Sequence, residues 1–105
     1  MDIYDIYTAF ISWGEDGKQR PVLILEHSVN AVTVFNITTR YEDKSEAVRS
    51  KYFKINDWQQ AGLNRESYID TNGTVTLPQS SVERFLGTLT EADVQGLLKF
   101  LVRQT

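Results

Sequence analysis

The apolar residues of this chain fall into short runs of strand length, separated by polar turns. Residues 5–12, "DIYTAFIS", are rich in β-branched and aromatic side chains, which favour extended backbone. Residues 21–25, "PVLIL", form an unbroken apolar run, which is typical of a strand covered on both faces. A third run, "AVTVFNITT" at 31–39, follows a polar turn. We therefore predict three consecutive strands, with the second at the centre of the sheet.

The third run changes character along its length. Alternation with period 2 places two valines and then two polar residues on one face, in the order Val32, Val34, Asn36 and Thr38. The opposite face carries Ala31, Thr33, Phe35 and Ile37. A rigid strand that ends in polar side chains is a suitable support for a functional site.

After residue 39 the pattern predicts a polar loop, a short strand and one or two helical turns. The loop covers 40–50, and "KYFKI" at 51–55 has the composition of a strand. In "NDWQQAGL", Asn56 can accept hydrogen bonds from the first free amides, and Gly62 can end the turn in a left-handed conformation.

One turn signal and two capping signals mark the last third of the chain. The pair Asn72–Gly73 divides "SYIDTNGTVTLP" into two β-rich runs and predicts a type I′ hairpin. Residues 80–89 have capping-box spacing at their start, which predicts a short helix or a helical turn. Thr90 and Asp93 frame a longer amphipathic helix with an apolar stripe of Ala92, Val94, Leu97, Leu98, Phe100 and Leu101. The whole pattern predicts a single domain over residues 1–105: a mainly β, strongly bent small barrel with short helices and a C-terminal α-helix.

Composition narrows the class of protein. The chain has 41% hydrophobic and 24% charged residues, as ordinary globular domains do, and it has no cysteine for disulfides or thiolate chemistry. Neither a membrane span nor a signal peptide is visible in the sequence, so we expect a cytoplasmic protein. The net charge is −3, but seven of the eleven Lys and Arg residues fall between 18 and 54, so folding could still make a basic surface.

A candidate anion site emerges when the second and third runs are paired as an antiparallel hairpin. Depending on the turn length, Arg20 lies opposite Ile37 with Thr38 as its diagonal neighbour, or directly opposite Thr38. In both registers the Asn36 amide shares this edge. Lys18 and Gln19 lie in the adjoining loop, and all these groups can bind phosphate oxygens.

Several further residues are candidates for an RNA-binding surface. Trp13 could stack on a base, or it could equally shield the barrel or a dimer interface. The Thr39 hydroxyl can donate to phosphate oxygens, and Arg40 could line a groove that follows a nucleic-acid backbone or lie in a solvated loop. His27 is a candidate for acid–base catalysis because imidazole commonly serves as a general acid or base, but it lies at the opposite end of the predicted hairpin. The carboxylates lack the spacing of a metal site, so we predict no metal and no cofactor.

The motifs "DIYTAFISW", "GKQRPVLIL", "VTVFNITT" and "SYIDTNGTVTLP", in this order, resemble the MazF/PemK family of type II toxin–antitoxin toxins. The resemblance spans nearly the whole chain and implies an SH3-like small barrel of the MazF, PemK and CcdB kind. It also implies a homodimer that cleaves single-stranded RNA without a metal, using the adjacent 2′-hydroxyl as the nucleophile, and a cognate antitoxin whose acidic tail occupies the RNA groove. The loop 13–19 would flank that groove and move.

The resemblance assigns the catalytic pair to Arg20 and Thr38. Because an arginine stays protonated at physiological pH, we expect Arg20 to stabilise the phosphorane and Thr38 to position the phosphate, with the general base unassigned. Where the family has a glycine before its opening Asp-Ile, this chain has Tyr4, so we expect a different first turn. The alternative hypothesis is a non-catalytic small-barrel adaptor that binds a protein or RNA partner.

Overall fold

The computed structural model describes residues 1–104, apart from the side chain of Trp13. Its strands and helices, in chain order, are β1 (Asp5–Trp13), β2 (Asp16–His27), β3 (Ala31–Thr38), α1 (Glu46–Arg49), β4 (Tyr52–Lys54), β5 (Tyr68–Pro78), β6 (Val82–Thr88) and α2 (Glu91–Arg103), with a 3-10 turn over Gln79–Ser81 before β6. The strands form one antiparallel sheet in the order β4-β5-β3-β2-β1-β6. The mainly β class and the terminal helix are therefore as predicted.

Strand β2 lies between β1 and β3, as its apolar run predicts, but it is longer than that run. It begins at Asp16 and pairs with β1 from the Trp13–Asp16 pair onward. The loop expected between the first two strands is therefore a tight hairpin, in which Gly14 takes a positive φ of 58°. The side of Gly17 is covered by the ring of Phe10, which leaves no room there for a Cβ atom.

Each face of the sheet carries its own apolar cluster. Within β3, Val32 and Val34 belong to one cluster, whereas Phe35 and Ile37 belong to the other, which confirms the predicted period. Leu23 joins the second cluster while its neighbours on both sides join the first. This is why the middle of β2 is apolar at every position.

Helix α2 covers the cluster that contains Phe35. Val94 and Leu97 are buried in it, and Leu101 packs at its border. Ala92 and Leu98, which the sequence stripe includes, are exposed, so the buried stripe is narrower than predicted. Within residues 1–104, no helix has the length and apolar character needed to cross a bilayer.

The two edge strands of the sheet are bridged by a coil instead of by strand pairing. Residues 57–63 form hydrogen-bonded turns after β4, and Gly62 ends them with a φ of 91°, as predicted. A Cβ atom on Gly62 would collide with the carbonyl oxygen of Leu86 on β6, and one on Gly87 would collide with that of Ala61. Two glycines facing each other thus let this coil touch β6, backbone to backbone.

The hairpin predicted at Asn72–Gly73 is wrong. Strand β5 is continuous, and this pair lies in a bulge between the β3 pairings of Asp70 and Val75. The bulge is held by contacts outside the strand: the Thr71 amide donates to the Lys51 carbonyl oxygen at 2.9 Å. The Asn72 side chain donates to the Val48 carbonyl oxygen at 3.2 Å. Tertiary contacts have overridden the local turn preference.

The short helix or helical turn predicted at 80–89 is reduced to a turn. Only the 3-10 turn at its start is helical, and the segment continues as β6, an edge strand paired with β1. The spacing of a capping box is not sufficient when a neighbouring strand offers hydrogen-bond partners to every second residue.

Candidate functional site

The register between β2 and β3 decides which residues face each other at the polar end of the sheet. Glu26 pairs with Thr33, but Ile24 pairs with Val34, so Leu25 is an extra residue that bulges out of β2. Beyond the bulge, Val22 pairs with Asn36. Continued by two residues, this register places Arg20 opposite Thr38, the second of the two alternatives that the sequence leaves open.

Strands β5 and β4 extend the same rows across the sheet. Asp70 pairs with both Asn36 and Tyr52, while Thr38 pairs with Tyr68. Paired residues project from the same face of a sheet, and so do residues two apart along one strand. Polar groups from four strands therefore converge on the face that carries Val32 and Val34, at the opposite end from those valines.

A pocket of about 310 Å³ opens at this convergence, and we call it the phosphate pocket. Its lining includes four cationic residues, Lys18, Arg20, Arg40 and Lys44, but a single carboxylate, Asp70. The remaining lining residues are Gln19, Pro21, Asn36, Ile37, Thr38, Thr39, Tyr52 and Ser67. Although the chain is acidic overall, its positive charge is concentrated here, which suits an anion.

Two polar side chains of β3 have hydrogen-bonding capacity directed at this pocket. The Thr38 hydroxyl oxygen accepts from the Arg40 amide at 3.0 Å, which leaves the hydroxyl proton available for donation. The Asn36 Oδ1 atom is buried and has no hydrogen-bond partner among the described residues. A buried polar atom without a partner is costly, and a bound ligand can supply one.

Four of the other five residues predicted for the site line the pocket. Lys18, Thr39 and Arg40 line the pocket, although Arg40 also forms an exposed ion pair with Asp43, at 3.3 Å. Gln19 lines it too, but its side-chain amide donates across β1 to Glu83 on β6. The side chain of Trp13 lies outside the described part of the chain.

His27 is at the far end of the β2–β3 hairpin, where it pairs with Val32. It does not line the phosphate pocket, as the sequence predicts.

Sequence reasoning missed Tyr52 and Asp70 as pocket residues. Asp70 lies on β5, which pairs with β3, and Tyr52 lies on β4, which pairs with β5; no local sequence pattern reveals these pairings. Burial raises the pKa of the Tyr52 phenol, and the nearby carboxylates of Asp70 and Asp43 raise it further, against a smaller opposing effect of Arg20. Tyr52 is therefore a neutral hydrogen-bond donor throughout the neutral pH range.

A second pocket, of about 380 Å³, adjoins the first, and we call it the tyrosine pocket. It is lined by Thr39, Arg40, Tyr41, Glu42, Asp43, Glu66 and Tyr68, so Thr39 and Arg40 belong to both pockets. Burial raises the pKa of Tyr68, as do its hydrogen bond to Glu66 and the charge of that carboxylate. The phenol donates to Glu66 Oε1 at 3.1 Å.

Comparison with known proteins connects this geometry to a family. The family model described as the PemK-like, MazF-like toxin of type II toxin–antitoxin systems matches residues 3–104. A Mycolicibacterium smegmatis protein described as a probable endoribonuclease MazF is 33% identical over an alignment 105 residues long. The alignment covers 92% of this chain and 93% of that protein.

Solved structures with the same fold come from mycobacteria. The Mycobacterium tuberculosis toxin MazF-mt6 superposes with a TM-score of 0.72 at 26% identity, covering 94% of this chain and 93% of that chain. An endoribonuclease in complex with its cognate antitoxin, from a mycobacterial species, superposes with a TM-score of 0.69 over 96% of this chain and 90% of its own. At 16% identity, this second likeness concerns the fold alone.

Proposed function

Because the chain belongs to the family of PemK-like, MazF-like toxins of type II toxin–antitoxin systems, we propose that it is an endoribonuclease that cleaves single-stranded RNA in the phosphate pocket. The reaction needs no metal, because the nucleophile is the 2′-hydroxyl of the RNA itself. Its oxygen attacks the adjacent phosphorus, the bond from phosphorus to the 5′-oxygen breaks, and the products are a 2′,3′-cyclic phosphate and a 5′-hydroxyl.

The observation that carries this proposal is that Arg20 and Thr38 line the same pocket, whose lining includes four cationic side chains. A guanidinium held by a strand can donate two parallel hydrogen bonds to phosphate oxygens. These bonds strengthen as negative charge accumulates on the pentacoordinate phosphorus. Arg20 is therefore the transition-state stabiliser, and it does not act as a base.

Thr38 positions the phosphate, because its hydroxyl proton is available while its oxygen accepts from the Arg40 amide. Asn36 contributes a further polar contact from the same face of β3. Lys18, Thr39 and Arg40 hold the flanking RNA backbone, and Gln19 frames the entrance.

The partners follow from the same proposal. The chain functions as a homodimer in the cytoplasm, and its activity is restrained by a cognate antitoxin. An acidic antitoxin segment is complementary to the cationic lining of the phosphate pocket and competes there with RNA.

Incubating the purified protein with single-stranded RNA in EDTA tests the activity. We expect the wild type to cleave, and Arg20→Ala to lose about 10²–10³-fold in rate, the scale of removing one transition-state hydrogen-bond donor. Arg84→Ala, which removes an exposed cation on β6, is the matched control and should retain full activity. Thr38→Val should reduce the rate, whereas Thr38→Ser should retain most of it.

Two results would contradict the proposal: no cleavage by the wild type, or equal cleavage by Arg20→Ala. Expression in cells separates the nuclease from the non-catalytic adaptor. A nuclease arrests growth and Arg20→Ala relieves the arrest, whereas an adaptor has neither effect.

A further inference from the structure

Cleavage of RNA by its own 2′-hydroxyl moves two protons, and Arg20 and Thr38 account for neither. One proton leaves the attacking 2′-hydroxyl, and one must reach the departing 5′-oxygen. Arg20 stays protonated and Thr38 positions the phosphate, so a general base and a general acid must come from other residues of the phosphate pocket.

Asp70 is the single carboxylate among the residues that line the phosphate pocket. The four lysine and arginine side chains of the lining are protonated at neutral pH, so they cannot accept a proton. A negative charge in this pocket repels a phosphate ligand, so Asp70 does not favour binding. The chemistry of a carboxylate suits it instead to take up a proton.

Asp70 is held by one carboxylate oxygen, while the other is open to a ligand. The Asn72 backbone amide donates to Asp70 Oδ1 at 2.9 Å, and the Asn72 side-chain amide donates to the same oxygen at 2.8 Å. Within residues 1–104, Asp70 Oδ2 has no hydrogen-bond partner. The anchored oxygen fixes the side chain, and the second oxygen can accept from a ligand hydroxyl.

Tyr52 lies beside Asp70 and offers the complementary group, a proton donor. The two residues are paired across β4 and β5, so their side chains project from the same face with Cβ atoms about 5 Å apart. Burial raises the pKa of the Tyr52 phenol, and the Asp70 charge raises it further, so the phenol keeps its proton at neutral pH. No hydrogen bond joins the phenol to Asp70, which leaves both groups available to one substrate.

We propose that Asp70 is the general base and Tyr52 the general acid of the cleavage step, an inference that rests on the proposed RNA function. Asp70 Oδ2 takes the proton of the 2′-hydroxyl while the 2′-oxygen forms its bond to phosphorus. The bond from phosphorus to the 5′-oxygen breaks, and that oxygen leaves with the electron pair and takes the phenol proton. Solvent water then relays the proton of Asp70 to the phenolate, so both residues regain their starting forms.

Asp70→Asn tests the base by separating cleavage from binding. On an RNA oligonucleotide that the wild type cleaves, we expect the variant to lose about 10²–10³-fold in rate, the scale of general-base catalysis. Fluorescence anisotropy with the 2′-deoxy analogue, which lacks the nucleophile, should show binding at least as tight as that of the wild type, because a negative charge has left the pocket. Glu26→Gln, an exposed carboxylate at the far end of β2, is the matched control and should cleave at the wild-type rate.

A substrate with sulfur in place of the 5′-oxygen at the cleaved bond tests the acid. A thiolate leaves without being protonated, because a thiol is far more acidic than an alcohol. We expect Tyr52→Phe to cleave the normal oligonucleotide about 10²-fold more slowly and the sulfur-containing one at nearly the wild-type rate, whereas Asp70→Asn stays slow on both. Tyr7→Phe, which removes a phenol hydroxyl from β1 outside the pocket, should match the wild type on both substrates.

Three results would overturn the inference while the wild type still cleaves RNA. These are a wild-type rate for Asp70→Asn or Tyr52→Phe on the normal oligonucleotide, equal losses of Tyr52→Phe on both substrates, and slow cleavage by Asp70→Asn together with weakened binding of the 2′-deoxy analogue. The last two would assign the residues a structural role. A wild-type protein that does not cleave RNA contradicts the proposed function itself, and the acid–base assignment with it.

Discussion

Tyr52 illustrates how one residue can link the sheet to the site. Its ring is 8% exposed, on the strand furthest from β2, and its phenol nevertheless lines the phosphate pocket because β4 and β5 continue the rows of β3. Burial is the largest cause of its raised pKa, with Asp70 as the next. An ionised phenol here would place a second negative charge beside Asp70, so the fold favours the protonated form.

The raised pKa makes a prediction about stability at alkaline pH. A phenol with a higher pKa in the folded than in the unfolded chain contributes its full stability below the unfolded value of 10.0, and loses it as the pH rises through the folded value. We expect Tyr52→Phe to flatten the fall in the free energy of unfolding above this pH. Urea denaturation at a series of pH values measures the slope, and an unchanged slope in the variant would contradict the assignment.

Tyr4 carries backbone strain at the entry to β1. Its φ is 73°, in the left-handed region that glycine adopts without cost. Its amide donates to the Ile24 carbonyl oxygen at 2.7 Å, and its carbonyl oxygen accepts from the Leu89 amide at 3.0 Å. These two bonds fix the conformation, so the first turn has a glycine-like backbone although the residue is a tyrosine.

At this position glycine should therefore be better than alanine. Tyr4→Gly and Tyr4→Ala both lose the ring, but only alanine retains the strain, so we expect the glycine variant to be more stable by about 1 kcal/mol. At Thr74, an exposed β5 residue with ordinary backbone, the order should reverse. Thermal denaturation of Tyr4→Gly, Tyr4→Ala, Thr74→Gly and Thr74→Ala measures these differences in stability. A Tyr4→Ala variant more stable than Tyr4→Gly would show that the strain is absent.

Much of the phosphate pocket could be predicted at the residue scale. The positions of Arg20, Asn36 and Thr38 could be predicted because these residues lie on two strands that are adjacent in sequence. The alternation of side chains along each strand and the length of the turn limit the possible registers. The bulge at Leu25 could not be predicted from the sequence, and it sets the register in which Val22 pairs with Asn36. Tyr52 could not be placed from the sequence, because its position depends on strand pairings with no local signal.

At the scale of elements, the start of α2 is built together with the coil that follows β4. Asp93 is 2% exposed, and its carboxylate accepts from the Asn56 amide at 3.2 Å and from the Asp57 amide at 2.8 Å. Thr90 caps α2 by accepting from the Asp93 amide, and its hydroxyl donates to Asp57 Oδ2 at 2.9 Å. The helix and the coil thus cap each other.

Asp93→Asn should weaken both elements at once. The neutral amide has one oxygen in place of two and cannot accept both bonds with a full charge, so we expect a loss of about 1–3 kcal/mol. Glu91→Gln removes an exposed charge from the same helical turn and should cost less than about 1 kcal/mol. Denaturant titration gives both values, and equal losses would mean that Asp93 acts only through the helix dipole.

The elements that sequence reasoning mistook are those governed by distant contacts. Strands β1 to β4 and helix α2 were predictable because their apolar patterns match their burial. The turn signal at Asn72–Gly73 was outweighed by the hydrogen bonds of the β5 bulge to the segment before β4. The capping signal at residue 80 was outweighed by pairing of β6 with β1. Local propensity is decisive only where no neighbour competes for the same backbone groups.

At the scale of the whole molecule, the coil 57–63 and β6 make one close contact, backbone to backbone. Gly62 and Gly87 face each other there, and each lacks space for a side chain. This contact joins the two edges of the sheet and holds α2 over the cluster beneath. The phosphate pocket lies at the opposite face of the sheet, and its lining residues come from other segments of the chain.

Gly87→Ala should therefore destabilise the fold without touching the site. The added Cβ meets the carbonyl oxygen of Ala61, and overpacking of this kind costs about 1–3 kcal/mol. Gly73→Ala, where no atom lies within 4 Å, should stay within about 0.5 kcal/mol of the wild type. The melting temperatures of both variants check this, and a wild-type value for Gly87→Ala would refute the close approach.

The glycine pair also affects how mutations that abolish the toxicity of this chain are interpreted. When bacteria are selected for survival while they express this chain, any substitution that lowers the amount of folded protein rescues growth, whether or not it affects the chemistry. Gly62 and Gly87 should thus recur among the survivors beside Arg20. Only the abundance of the protein in each surviving clone would separate the two kinds of rescue.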